Sequence, residues 1–269
     1  MPEGYGEGAR RDSDSSPAPI GPARPRFLGV LAVLHHLDQP FLGLAEQPLR
    51  ASRVTLDERD LQHGDALPDL DEVDGILSLG GSQSATELDA HPVLREEAGL
   101  LRAAVDAGVP VMGICLGGQL LAHATGAPVV RAPRRTVAWV QLEATPDAAG
   151  DPIAEALGSP VRGLHWNEDC FDLPPGATEL LTRSGTGVTA FRVGESAWGV
   201  QFHPEVDAPG LDGWYASYGA WLAEAGVTEA EARAADAEHM PGQAERAERL
   251  FGAFGRVVAE GAERRPSAR

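Results

Sequence analysis

From residue 26 onward the chain alternates between short, wholly apolar runs and longer stretches with apolar residues on one side. RFLGVLAVL (26–34) is the first run, apolar at successive positions as a strand covered on both faces requires. SRVTL reads as a weaker strand, and DGILSLGG (74–81) as a buried one ending in paired glycines. Residues 92–107 have helical spacing. Pro92 suits the first turn, Val93, Leu94, Leu101, Ala104 and Val105 recur on one side, and Gly108 stands at the C′ position. VPVMGI (109–114) predicts the next strand and LGGQLLAHAT (116–125) the next helix.

From residue 128 the pattern changes to closely spaced strands: PVVRA, VAWVQLE, PVRGLH, TELLT, GVTAFRV and SAWGVQF. Two helices close the chain, over 211–225 and about 241–260, the second with a core-packing stripe of Leu250, Phe251, Phe254, Val257 and Val258. Strands alternating with helices predict an α/β fold: an open, mostly parallel sheet flanked by helices, with a small antiparallel strand addition. Residues 1–25 are rich in Gly, Pro, Ser and charge and predict a disordered tail, as do residues 261–269. Between them lie one domain over 26–225 and a helical extension over 226–260 packed on it.

Composition narrows the function classes. The net charge is −18, and all 22 basic residues are arginine. Nucleic acid and anionic membrane surfaces are poor partners for such a chain, because phosphate contacts need clustered positive charge. Two cysteines make no disulfide framework, and no apolar run approaches a membrane span or a signal-peptide core, so a cytoplasmic protein is expected.

One of those cysteines stands in Gly113-Ile114-Cys115-Leu116-Gly117, a G-x-C-x-G pattern between a predicted strand and a predicted helix. A sharp strand-to-helix turn of this form exposes its central side chain as a nucleophile. The helix N-terminus behind it favours negative charge on sulphur, and the Leu116 N–H would point to where an oxyanion develops. The pattern alone fits a small buried residue equally well. A cysteine nucleophile also needs an oriented base. GVQFHPEV places His203 at a strand end with Glu205 two residues on, and in extended backbone both side chains project to one side. Pro204 favours that extended conformation at His203. Gly80-Gly81 would let backbone N–H groups approach a ligand closely. All three segments would meet at the carboxyl edge of one parallel sheet, where open α/β sheets bind ligands.

The segments GVPVMGICLGGQLLAHATGA, GVQFHPEV, DGILSLGG and LHWNEDCFDLPPGATEL resemble the triad (class I) glutamine amidotransferases, particularly stand-alone chains of GMP-synthase-like type. The resemblance spans about 27–225 and implies the flavodoxin-like fold of that family. It implies Cys115 as nucleophile, His203 as base and Glu205 as the acid orienting it. It further implies the Gly81 and Leu116 amides as the oxyanion hole, with Gly80, Gln119, Trp166 and Asp169 around the glutamyl group. The implied reaction forms a γ-glutamyl thioester, releases ammonia from glutamine and needs no metal or organic cofactor. A separate synthase subunit would receive the ammonia.

Two segments depart from the family. His165-Trp166-Asn167-Glu168-Asp169 stands where His-Trp-His-Gly-Asp is expected, and Thr136-Val137-Ala138-Trp139 where Glu-Ile/Val-Gly-Trp is expected. Both bear on the glutamyl pocket, so a free-standing γ-glutamyl peptidase or amidase is the alternative, and a catalytically silent binding protein a further one. Cys170 and His123 read as packing residues, and His35 and His36 as residues after the first strand that either line the cleft or serve the core.

Overall fold

In a computed structural model the protein is described over residues 29–183 and 187–264. The expected tail over 1–25, the first residues of RFLGVLAVL and the last five of the expected second tail lie outside the described residues. The strands are β1 (Gly29–His36), β2 (Val54–Asp60), β3 (Gly75–Gly81), β4 (Val111–Ile114), β5 (Val129–Ala144), β6 (Val161–Phe171), β7 (Thr178–Arg183), β8 (Val188–Val193) and β9 (Ala197–Val200). They form one open sheet in the order β2-β1-β3-β4-β9-β8-β7-β5-β6. The half from β2 to β9 is parallel, and β8, β7, β5 and β6 continue it antiparallel.

The wholly apolar runs are the parallel strands because both of their faces are covered. Leu31, Val33, Leu77, Met112 and Ile114 point into one core, packed by α1 (Glu46–Ala51), α4 (Pro152–Leu157) and α8 (Gln243–Arg264). Ala32, Leu34, Ile76 and Val111 point into the other, with α2 (Pro92–Asp106) and α3 (Leu116–Ala124). Gly108 takes the left-handed conformation expected after α2, at φ +67°. A third, aromatic cluster joins β5 and β6 to α5 (Ala208–Tyr218), α6 (Ala220–Ala225) and α7 (Glu229–His239).

Several sequence expectations change. PVVRA and VAWVQLE are one 16-residue strand, β5, whose pairing with β6 shifts register between Arg131 and Thr136. Pro133 sits in that irregular stretch, where a missing N–H is tolerated. PVRGLH continues to Phe171, which puts Trp166 and Asp169 inside strand β6. The helix expected over 211–225 is two, α5 and α6, meeting at Gly219. Helix α7 has no apolar stripe and buries only Ala232, yet a capping box between Thr228 and Glu231 starts it. The expected tail is shorter by residues 261–264, which belong to α8. Its stripe is core: Leu250, Phe251, Phe254 and Val258 are fully buried.

Candidate active site

The carboxyl ends of β1, β3, β4 and β9 share one edge, and the site is assembled there. Cys115 lies between β4 and α3 with φ +51° and ψ −104°, which lifts its side chain out of the strand. Its N–H donates to the Val200 carbonyl at 2.8 Å, locking the turn to β9, and its own carbonyl accepts from Gln119 N at 2.9 Å in the first turn of α3. Gly117 lies so close to Ser78 that a Cβ there would overlap it. That proximity is the reason for the glycine after the cysteine.

His203 and Glu205 follow β9. His203 Nδ1 and Glu205 Oε1 are 2.7 Å apart, and both side chains are almost wholly buried. The loop carrying them is anchored from three directions. The His203 N–H donates to Leu164 O of β6, Gln243 Nε2 of α8 donates to His203 O, and Leu44 N donates to Glu205 O, each at 2.8 Å. Burial alone would lower the basicity of His203, but the charges and hydrogen bonds of Glu205 and Cys115 outweigh it and push the imidazole up to about 10. Nearby His165 has no such partner. Burial, reinforced by the Arg183 charge, holds it down to about 3.

Gly80 and Gly81 end β3 beside this pair, and a Cβ on Gly80 would stand 2.9 Å from His203 Cε1. Leu116 opens α3, so its N–H belongs to the first turn, where amides have no intrahelical acceptor. Gln119 reaches across to β6, donating to the Asp169 carbonyl at 3.0 Å and to Gln201 Oε1 at 3.3 Å. Gln201 in turn donates to Cys115 Sγ at 3.6 Å. Trp166 contributes its carbonyl 4.0 Å from Cys115 Sγ, while its ring packs edge-on against Trp214 and Tyr215. Asp169 is held by Ser84 Oγ at 2.5 Å and by Arg131 at 3.5 Å. The departing residues are engaged locally: Asn167 Nδ2 donates to Asp169 O, and Glu168 pairs with Arg131 at 3.0 Å and Arg135 at 2.6 Å.

The nine residues singled out from the sequence therefore come together, seven at the carboxyl edge of the parallel strands and Trp166 and Asp169 from within β6. Those it missed are Gln201, Gln243 and Trp214, whose ring meets His203 edge-on with centroids 4.7 Å apart. Gln201 alone lay within a recognised motif. His123, expected to pack, is exposed, because α3 emerges from the core in its last turn, where a basic residue suits the helix dipole. His35 and His36 end β1 rather than follow it, and both are buried. Cys170 is partly buried on β6, and burial followed by the Asp172 charge pushes its thiol up. A cavity of about 30 Å³ adjoins Gly80, Gly81 and His203, walled by Trp166, Trp214, Tyr218 and Trp221.

The fold and these motifs correspond to a known family. The chain belongs to the class-I glutamine amidotransferases, whose family profile matches residues 44–212. It is 33% identical over 154 residues to the glutamine amidotransferase-like protein YfeJ of Salmonella typhimurium, covering 56% of this chain and 64% of that one. It is 37% identical over 134 residues to the GMP synthase [glutamine-hydrolyzing] of Thermomicrobium roseum, covering 49% of this chain and 23% of the synthase. The chain thus spans less than two thirds of the length of the curated relatives it matches. Among solved structures, a glutamine amidotransferase from Thermotoga maritima superposes with a TM-score of 0.75 at 27% identity, over 86% of this chain and 98% of that one. A second, from Methylobacillus flagellatus, gives 0.76 at 23% identity over 90% and 98%, a likeness of fold. No helix among the described residues is long and apolar enough to cross a membrane.

Proposed function

We propose that the protein hydrolyses the side-chain amide of glutamine through a Cys115–His203–Glu205 triad, releasing ammonia. The observation that carries this reading is the buried 2.7 Å contact between His203 Nδ1 and Glu205 Oε1 beside the Cys115 elbow. Glu205 fixes the imidazole so that Nε2 serves the sulphur, and its charge stabilises the imidazolium formed when Cys115 gives up its proton. The thiolate attacks the amide carbonyl carbon, and the oxyanion accepts from the N–H groups of Gly81 and Leu116. Collapse breaks the C–N bond as His203 passes its proton to the nitrogen, so ammonia leaves and a γ-glutamyl thioester remains. Neutral His203 then takes a proton from water as the water attacks the thioester. Glutamate departs, and the proton returns to the sulphur.

The room beside His203 bears on the leaving group. Gly80, Gly81, Trp214 and Trp221 line the space beside His203 into which the leaving nitrogen would depart. Because the matching relatives include GMP synthases, an ammonia-accepting synthase is the partner class we assign.

The test is ammonia release from glutamine and amine release from γ-glutamyl dipeptides, by the wild type and by Cys115→Ala. Turnover of glutamine, lost in the variant, with dipeptides cut more slowly is the expected result. Preferred cleavage of dipeptides would replace glutamine as substrate, and no thiol-dependent turnover of either would remove the triad reading.

A further inference from the structure

Behind the proposed triad, two residues that each carry an unpartnered buried polar atom line one small cavity. Glu205 gives Oε1 to His203, but its Oε2 has no hydrogen-bond partner among the described residues, and neither has Nδ1 of His36. Both residues line a cavity of about 10 Å³ bordered by Leu79, Gly80, Phe41 and Trp214. That volume is on the scale of a single water molecule.

The other side of His36 fixes the chemistry of this cavity. His36 Nε2 lies 2.7 Å from Glu97 Oε2, and Ser78 Oγ donates to Glu97 Oε1 at 2.6 Å. All three side chains are buried, and His36 and Glu97 lie on separate elements, β1 and α2. Nε2 faces a Glu97 oxygen, so Nδ1 is the ring nitrogen left without a partner. Burying Nδ1 and Glu205 Oε2 unpartnered is costly. A water lodged in the cavity satisfies both, because it gives one proton to the carboxylate and turns its other proton or its oxygen to Nδ1.

We infer that one water is held between His36 Nδ1 and Glu205 Oε2, and that His36 is through it a positioning residue for the triad acid. The water holds Glu205 with Oε1 turned to His203, and it joins the triad to the buried His36–Glu97–Ser78 chain. The far end of that chain returns to the elbow, since Ser78 lies directly against Gly117. His36 thus ties the two halves of the site, the elbow and the His203 loop, from beneath.

This inference rests on the proposed triad, and the two are tested separately. His36→Gln can keep an amide donor toward Glu97 but lacks an atom at the Nδ1 position. His36→Asn places a polar atom near Nδ1 and abandons Glu97. With glutamine as substrate, His36→Gln is expected to lower kcat about fivefold, as loss of one hydrogen bond implies, with KM and melting temperature near those of the wild type. His36→Asn is expected to melt earlier than His36→Gln while losing less kcat than it. A wild-type kcat in His36→Gln, or losses of activity that follow melting temperature in both variants, overturns the proposal. A crystal structure gives a readout that needs no substrate. Density for a water between the two atoms in the wild type supports the site, and a dry cavity overturns it. A wild type that holds the water but releases no ammonia overturns the triad reading instead.

Discussion

His203 and Glu205 stand two residues apart and 2.7 Å from ring nitrogen to carboxylate, out of reach of bulk water. Glu205→Gln would keep the size of the side chain but replace a charged acceptor with an amide. The imidazolium loses its counter-charge, and an amide N–H facing Nδ1 imposes the wrong tautomer. Glutamine turnover is expected to fall roughly 10²–10⁴-fold in kcat, with the melting profile showing a folded protein. Steady-state ammonia release measures it. A loss confined to KM would show that Glu205 does not orient the base.

Two of the buried histidines, His203 and His165, pull stability in opposite directions with pH. His203 is raised to about 10, so its contribution is complete below the unfolded value near 6.5 and disappears as pH rises toward 10. His165 is held down to about 3, so its contribution is complete above about 6.5 and is lost as pH falls toward 3. Urea denaturation across this range should show a flatter alkaline limb for His203→Gln and a flatter acid limb for His165→Leu. Identical limbs in variant and wild type would contradict both assignments.

Gly80 adjoins His203 and has no room for a side chain. A methyl group there would stand 2.9 Å from His203 Cε1, so the ring or the strand end must shift. Gly80→Ala is expected to cost about 10²-fold in kcat through misplacement of the base, with little change in melting temperature. Kinetics beside calorimetry separate this from general loosening.

Asp236 of α7 secures the aromatic roof of the site. It accepts from Tyr215 Oη at 2.5 Å and from Trp139 Nε1 at 2.9 Å, joining α5 to β5, and burial together with Asp236 pushes the Tyr215 phenol up. Asp236→Ala leaves both donors without their acceptor and should destabilise the fold by about 2 kcal/mol, while Asp236→Asn loses less. Chemical denaturation monitored by tryptophan fluorescence reads both.

The central sheet was legible in the amino-acid order because parallel strands buried on both faces leave unbroken apolar runs, as in DGILSLGG. The elbow was legible because only glycine fits where Gly117 meets Ser78. Helix α7 was not, because a capping box and a single buried alanine leave almost no periodic trace. Gln243 and Leu44 hold the His203 loop across long sequence separations, and no local pattern reports such a contact. Trp214 resembles any core aromatic on a helix until its ring is found against His203. His36 and Glu97 lie 61 residues apart, and their pairing exists only in the folded sheet.

The backbone of Cys115, at φ +51° and ψ −104°, occupies ground where only glycine is at ease, and such a residue costs about 1–3 kcal/mol. The Cys115 sulphur is therefore carried on a spring that the rest of the fold keeps compressed. Cys115→Gly should release it and Cys115→Ala should not, so the glycine variant is expected to melt above the alanine one although both lack the sulphur. A lineage that abandoned the chemistry could thus gain robustness with a single substitution, and retention of a side chain at this position would mark the chains still using it.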